Sequence, residues 1–270
     1  MIHIYKLLTS MFGTDRHVNP DIYLAANAEI LFLTILMSLG ITYTFNHEVL
    51  GNNGIRDMVG YNNPCVFWDS PPALYFAAFF FTPTVYFAIR YAVLDTQRAF
   101  LTKNLSDRMK RAVLVANFWY AVSQALNMLI FVVTPEPGDV TKLRMHSAFF
   151  LQLVPSLGLC MALNYFEGWA AGEKVQKHQV VILAVSSTVT LLETVMAFVA
   201  VFAYQNDKKP VINPWAMFLV DWAWFLCLPL ISSFDPPSPA VHIEVSLDPK
   251  KDSVDTEARG EEESAPMARD

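Results

Sequence analysis

Residues Val180–Ala203 read VVILAVSSTVTLLETVMAFVAVFA. The run is too long and too continuously apolar for the half-buried helix of a soluble domain, yet Glu193 sits in its middle. About 20 mostly apolar residues cross a bilayer as a helix. An acid placed there has to find partners inside a helix bundle. The solvent around this one segment therefore decides the fold.

The rest of the chain answers in the same way. Leu24–Phe45, Ala73–Leu94, Ala112–Val133, Met145–Phe166 and Pro214–Phe234 are further runs of this kind, separated by breaks rich in Gly, Pro, Asn or charge. Of the 270 residues 54% are hydrophobic and 16% charged, against about 25% charged in a typical soluble domain. The runs are too long for the strands of a membrane barrel. We expect an all-α, polytopic membrane protein, a bundle of six transmembrane helices. Pro83, Pro155, Gly158 and Pro229 fall inside spans, where neighbouring helices re-satisfy the backbone. Three parts follow: an N-terminal segment 1–23, a transmembrane domain 24–234 and a tail 235–270.

Lys and Arg set the orientation, because cytoplasmic loops carry their excess. With the N-terminus inside, the inside segments before the tail hold nine: Lys6, Arg16, Arg98, Lys103, Arg108, Lys110, Arg111, Lys174 and Lys177. The outside loops hold five: Arg56, Lys142, Arg144, Lys208 and Lys209. Both termini are expected in the cytoplasm. The sequon Asn104-Leu105-Ser106 then faces the cytoplasm and is expected to stay unglycosylated.

Residues 1–20 lack a long apolar core and a small-residue cleavage site, so they do not read as a signal peptide. Ile4, Leu7, Leu8, Met11 and Phe12 read either as one face of a short interfacial helix or as part of a plain leader. The longest outside loop, Asn46–Pro72, is rich in turn formers and reads as a compact lid or as a simple connector. The tail carries ten acids against four bases and is expected to be disordered. It reads as a solubilising segment or as a docking segment for a cytosolic protein partner. No basic patch with interleaved aromatics occurs, so nucleic acid is not expected as a partner.

Polar residues inside the spans are the candidate site. At a rise of about 1.5 Å per residue, Asn127, Gln152 and Asp221 lie roughly 10 Å below the outer surface and Glu193 about 15 Å. His146 sits at the outer entrance of the fourth span. These five residues, from four helices, are expected to form one buried polar cluster in the outer half. It reads either as interhelical glue or as a ligand or lipid-headgroup site. On the inner side Glu29 and Arg90, on adjacent spans, are expected to form an ion pair, the alternative being Arg90 snorkelling to lipid phosphate. No HExxH, HxxxH, GxSxG, CxxC or Walker-type motif occurs, and the six histidines are scattered. We expect neither a catalytic site nor a metal site nor a bound cofactor.

The order of these features resembles the DRAM/Frag/Sfk family of six-span membrane proteins over roughly residues 46–234. The second span ends in FAIRYAVL, followed by a basic loop; the third reads LVANFWYAVSQALNMLIF; the fourth opens as RMHSAFFLQLVPSLGL; the sixth carries FLVDWAWFLCLPLISSF and a polar tail follows. In this sequence Asp221-Trp222 stands where the family has Glu-Trp or Glu-Tyr, and the first loop holds one cysteine where several members have more. The resemblance implies membrane regulation without catalysis, in autophagy, lipid-kinase recruitment or lipid remodelling.

The expected function is thus an integral membrane regulator or scaffold in lipid homeostasis, autophagy or trafficking. It would act through protein partners and bind membrane lipids, in the plasma membrane or an endomembrane (lysosome, Golgi or ER). The alternative is a small transporter or channel-like subunit that uses the intramembrane polar cluster.

Overall fold

The computed structural model describes Tyr5 and residues 17–205, 209–233 and 243–244. Seven helices are numbered here in chain order: α1 (Pro20–Phe45), α2 (Gly54–Val59), α3 (Ala73–Leu101), α4 (Asp107–Asn127), α5 (Val140–Ala170), α6 (Lys177–Ala203) and α7 (Pro214–Ser233). Five of them, α1, α3, α4 with the 3₁₀ turn that extends it, α5 and α6, are long and apolar enough to cross a membrane. The apolar stretch of α7, Pro214–Leu230, is shorter. Together the six form an up-and-down ring: each long helix packs on the next, and α7 closes the ring against α1.

Helix ends follow from local chemistry. Asn19 caps α1 by accepting the Asp21 N–H at 2.9 Å, and Pro20 takes the first helical position. Asp139 caps α5 through the Thr141 and Lys142 N–H groups, both at 3.0 Å. The guanidinium of Arg144 donates to the carbonyls of Val201, Phe202 and Tyr204 at 3.1–3.3 Å, so α5 caps the C-terminus of α6. Gly158 lets α5 approach α6, since a Cβ there would collide with the Thr190 side chain.

The outward surface is apolar. Phe79, Val115, Phe118, Leu191 and Leu219 are each more than 60% exposed, far beyond the scattered apolar residues of a soluble surface. This is the face a lipid solvent requires.

Residues 46–72 form a compact cap over one end of the ring, the cap end; the opposite end, where α1 begins, is the base. The cap consists of α2 flanked by 3₁₀ turns at His47–Leu50 and Pro64–Trp68. Ile55, Met58, Val59, Val66, Phe67 and Trp68 join the main core, and Trp68 packs edge-on against Phe81 and Phe131. Gly60 takes φ +84° where a side chain would meet Pro214. Of the two readings of this loop, the compact one is present.

At the base, His17–Val18 pairs antiparallel with Ile243–Glu244. That short bridge is the one described part of the tail. The rest of segment 235–270, and Ile4, Leu7, Leu8, Met11 and Phe12, lie outside the described residues. α1 begins at Pro20, inside the expected N-terminal segment 1–23, because the Asn19 cap and Pro20 start the helix before the apolar run does.

Candidate functional site

Helix α6 turns most of its surface outward: in its most apolar stretch only 22% of residues are buried. Its inward positions include Ser186, Glu193, Ala197 and Ala200, one stripe at helical spacing. Glu193 is 1% exposed. The carboxylate therefore occupies the inward face that the helix spends mostly on small residues.

Glu193 borders two neighbouring voids beneath the cap. One, about 40 Å³, lies between the cap, α5 and α6, and its polar lining is Asn63, Cys65, His146, Ser147 and Glu193. The other, about 10 Å³, joins Asn63, Cys65 and Glu193 to Asp221 among Ile35, Phe150, Trp224 and Phe225. The structure thus brings together Glu193 with His146 on one side and with Asp221 on the other. Asp221 Oδ2 accepts hydrogen bonds from the Tyr61 hydroxyl and the Asn63 amide of the cap. Its Oδ1 and the Glu193 Oε2 are buried without a partner.

His146 sits in the second turn of α5, deeper than the sequence reading placed it. The helix starts at Val140, whereas Lys142 and Arg144 delay the apolar run to Met145. Its Nδ1 donates to the Val133 carbonyl at 2.7 Å, and its Nε2 lies 3.5 Å from Asp69 Oδ1. Asp69 Oδ2 accepts from Asn53 at 3.1 Å. Burial pushes the Asp69 carboxyl up to about 6, with His146 and the Asn53 hydrogen bond opposing. The Cys65 thiol is pushed well above its usual range by burial, Asp69 and Glu193, which disfavours the thiolate. Both nitrogens of His146 are turned to Val133 and Asp69, so neither is left to activate Cys65. No three His, Cys, Asp or Glu side chains stand close enough to hold a metal ion among the described residues.

Two expected members stand apart. Gln152 is exposed on the outer surface of α5. It lies on the face opposite to the expected one: Leu153, Val154, Ser156 and Leu157 form the inward side. Asn127 is fully buried but lines neither void. It stacks one turn above Gln124, and both amides lack partners. Below them, Tyr120 donates to Asn27 Oδ1 and Asn27 to the Thr84 carbonyl, each at 2.8 Å.

The base holds a network that the sequence reading missed. Arg98 of α3, 1% exposed, makes a bidentate pair with Asp21 of α1, both contacts 3.0 Å, and a further pair with Asp95. Glu167 of α5 lies 3.9 Å from its Nε. Asn117 of α4 donates to Asp95 at 2.8 Å, and Asn164 donates to Asp21 at 2.8 Å. The expected Glu29–Arg90 ion pair is not formed among the described residues. Asn27 is level with Thr84; Glu29 is two residues toward the cap and Arg90 six toward the base. Eight residues place them about 12 Å apart along the axis. Arg90 is half-buried and Glu29 buried.

Comparison with protein-family models, with curated proteins and with solved structures finds no match. The functional reading rests on the site.

Proposed function

We propose that this protein is a six-span membrane protein, both termini cytoplasmic, that binds membrane lipid beneath its cap and regulates lipid homeostasis or trafficking through protein partners. The single observation that carries the lipid reading is Glu193. It is a buried carboxylate with an unpartnered oxygen, facing a void walled by apolar side chains and the polar groups of Asn63 and His146. Apolar walls with few convergent polar groups are the lining chemistry of binding sites; at about 40 Å³ the void has room for the tip of a headgroup and not for a whole lipid. The nine-to-five excess of Lys and Arg on the inside supports the orientation. So does the bridge between His17–Val18 and Ile243–Glu244, which joins the two ends of the chain at the base. The resemblance to the DRAM/Frag/Sfk proteins points to regulation by partners, for which the acidic tail is the docking segment.

The experiment is native mass spectrometry of the full chain released from lipid nanodiscs. Wild type and a variant ending at Phe234 should retain lipid, and Glu193→Gln should lose it. Equal retention by Glu193→Gln removes the lipid reading.

A second reading, a small transporter, draws on the buried polar column from Arg98 through Asn27, Tyr120 and Gln124 to Asn127. Proteoliposome flux that survives loss of the tail and falls in Gln124→Leu would select it.

A further inference from the structure

Away from the helix ends, the amide side chains of the spans turn inward. Asn27, Asn117, Gln124, Asn127 and Asn164 are all buried in the ring. Gln152 is the exception among the described residues: it is exposed on the outer face of α5. The helix has 31 residues and its midpoint falls at Pro155. With that midpoint at the centre of a hydrocarbon layer about 30 Å thick, Gln152 lies about 10 Å from the nearer headgroups. A glutamine side chain does not span that distance. The amide therefore faces lipid chains, where an unpaired polar group is costly.

The ring does not relieve that cost. On one side α4 meets α5 at Ser156, whose hydroxyl bonds that of Ser123. On the other, α6 meets α5 at Gly158, against Thr190. Gln152 stands on the open face between these two seams, and its amide has no hydrogen-bond partner among the described residues. Exposed hydroxyls elsewhere on the ring return to their own helix: Thr82 donates to the Ala78 carbonyl at 3.3 Å and Thr44 to the Gly40 carbonyl at 2.8 Å. A carboxamide carries two N–H donors and an acceptor, more than its own helix, already bonded along its backbone, can match. Met145, Ala148 and Leu159 share its stripe at helical spacing. None of them carries a charge, and the small Ala148, one turn away, lets a second helix come close.

We propose that two copies of this chain associate through the outer face of α5, with Gln152 hydrogen-bonded to its counterpart. Complementarity selects the second copy. A carboxamide is its own complement, since the N–H of one pairs with the oxygen of the other and the reverse. Copies inserted by the same charge rule share one orientation in the membrane. A two-fold axis along the membrane normal then brings Gln152 to Gln152 at equal depth. A different partner would have to offer an amide at that same depth. The dimer rests on the membrane placement proposed above and not on lipid binding at Glu193.

The test counts photobleaching steps of the full chain, fluorescently tagged, in phosphatidylcholine liposomes over a series of protein densities. Wild type should pass from single to double steps as density rises, without larger assemblies. Gln152→Leu should lower the association constant about tenfold, the equivalent of about 1.4 kcal/mol, the scale of two interhelical hydrogen bonds. Gln152→Asn keeps the donors and the acceptor and should recover most of the loss. Glu193→Gln should pair as wild type does, which separates this face from the buried site. A photocrosslinking residue in place of Ala148 should join two chains, and one in place of Phe79 on the outer face of α3 should not. In excess detergent, where both are monomers, wild type and Gln152→Leu should unfold at the same temperature, which checks that the fold is kept. Single steps at every density, equal association of wild type and Gln152→Leu, or equal crosslinking from positions 79 and 148 overturns the proposal.

Discussion

The two ends of the bundle treat buried charge in opposite ways. At the base, Arg98 is held by Asp21 and Asp95, and Asn117 and Asn164 bond the carboxylates; Glu167, whose oxygens have no hydrogen-bond partner, lies 3.9 Å from the same guanidinium. Four helices meet there. At the cap end Glu193 and Asp221 face small voids with no Lys or Arg among the lining side chains, and each keeps an unpartnered oxygen. Polarity inside an apolar bundle is thus of two kinds. Carboxylates gathered round a buried cation fix the positions of helices. Carboxyl groups beside space, with no Lys or Arg lining it, are available to a ligand.

Breaking the base should have the largest effect. Arg98→Leu leaves three carboxylates buried with their shared cation gone, which costs on the order of 3–5 kcal/mol or more. The detergent-solubilised variant should unfold well below wild type or fail to accumulate, and near-wild-type stability would remove the contrast between the ends. Arg98→Lys should recover only part of the loss, since an ammonium cannot make the bidentate contact with Asp21.

At the cap end the expected effect is smaller and pH-dependent. Asp69 is held near 6, above its ordinary 3.8. The folded state thus binds this proton more tightly than the unfolded chain. The resulting stability is complete below about pH 4 and lost as pH rises to about 6, a difference of about 3 kcal/mol. Asp69→Asn cannot ionise, so its unfolding temperature should gain on that of wild type over this interval. A constant offset between the two would contradict the assignment.

Glu193→Gln should shift stability by less than about 1 kcal/mol while abolishing lipid retention. A large loss of stability would move Glu193 into the class of the base network. The smallest effect is expected for Gln152→Leu, because that side chain already faces outward. Its unfolding temperature should match wild type, and a marked drop would place Gln152 back in the cluster.

Much of this was legible from spacing. The apolar runs gave the helices, and heights along them put Glu193 and Asp221 in the same half of the bundle, about 5 Å apart in depth, because rise per residue is constant. The base network was missed for a specific reason. Span boundaries were drawn where charge begins, so Asp21 fell just before Leu24, Asp95 and Arg98 just after Leu94, and Glu167 just after Phe166. The helices continue through those charges because the charges pair with one another. The same cause put His146 at an entrance when it lies in the second turn of α5.

By itself the sequence determined that this chain folds as long apolar helices and in what order they follow one another. The tertiary structure decided which way each group faces. Helices that are apolar all round carry little amphipathic signal, because a lipid-facing side is as apolar as a packed one. Gln152 and Glu193 therefore look alike in sequence, one polar residue in an apolar run. Only the packing of α5 and α6 against their neighbours turns the first outward and the second toward the void beneath the cap.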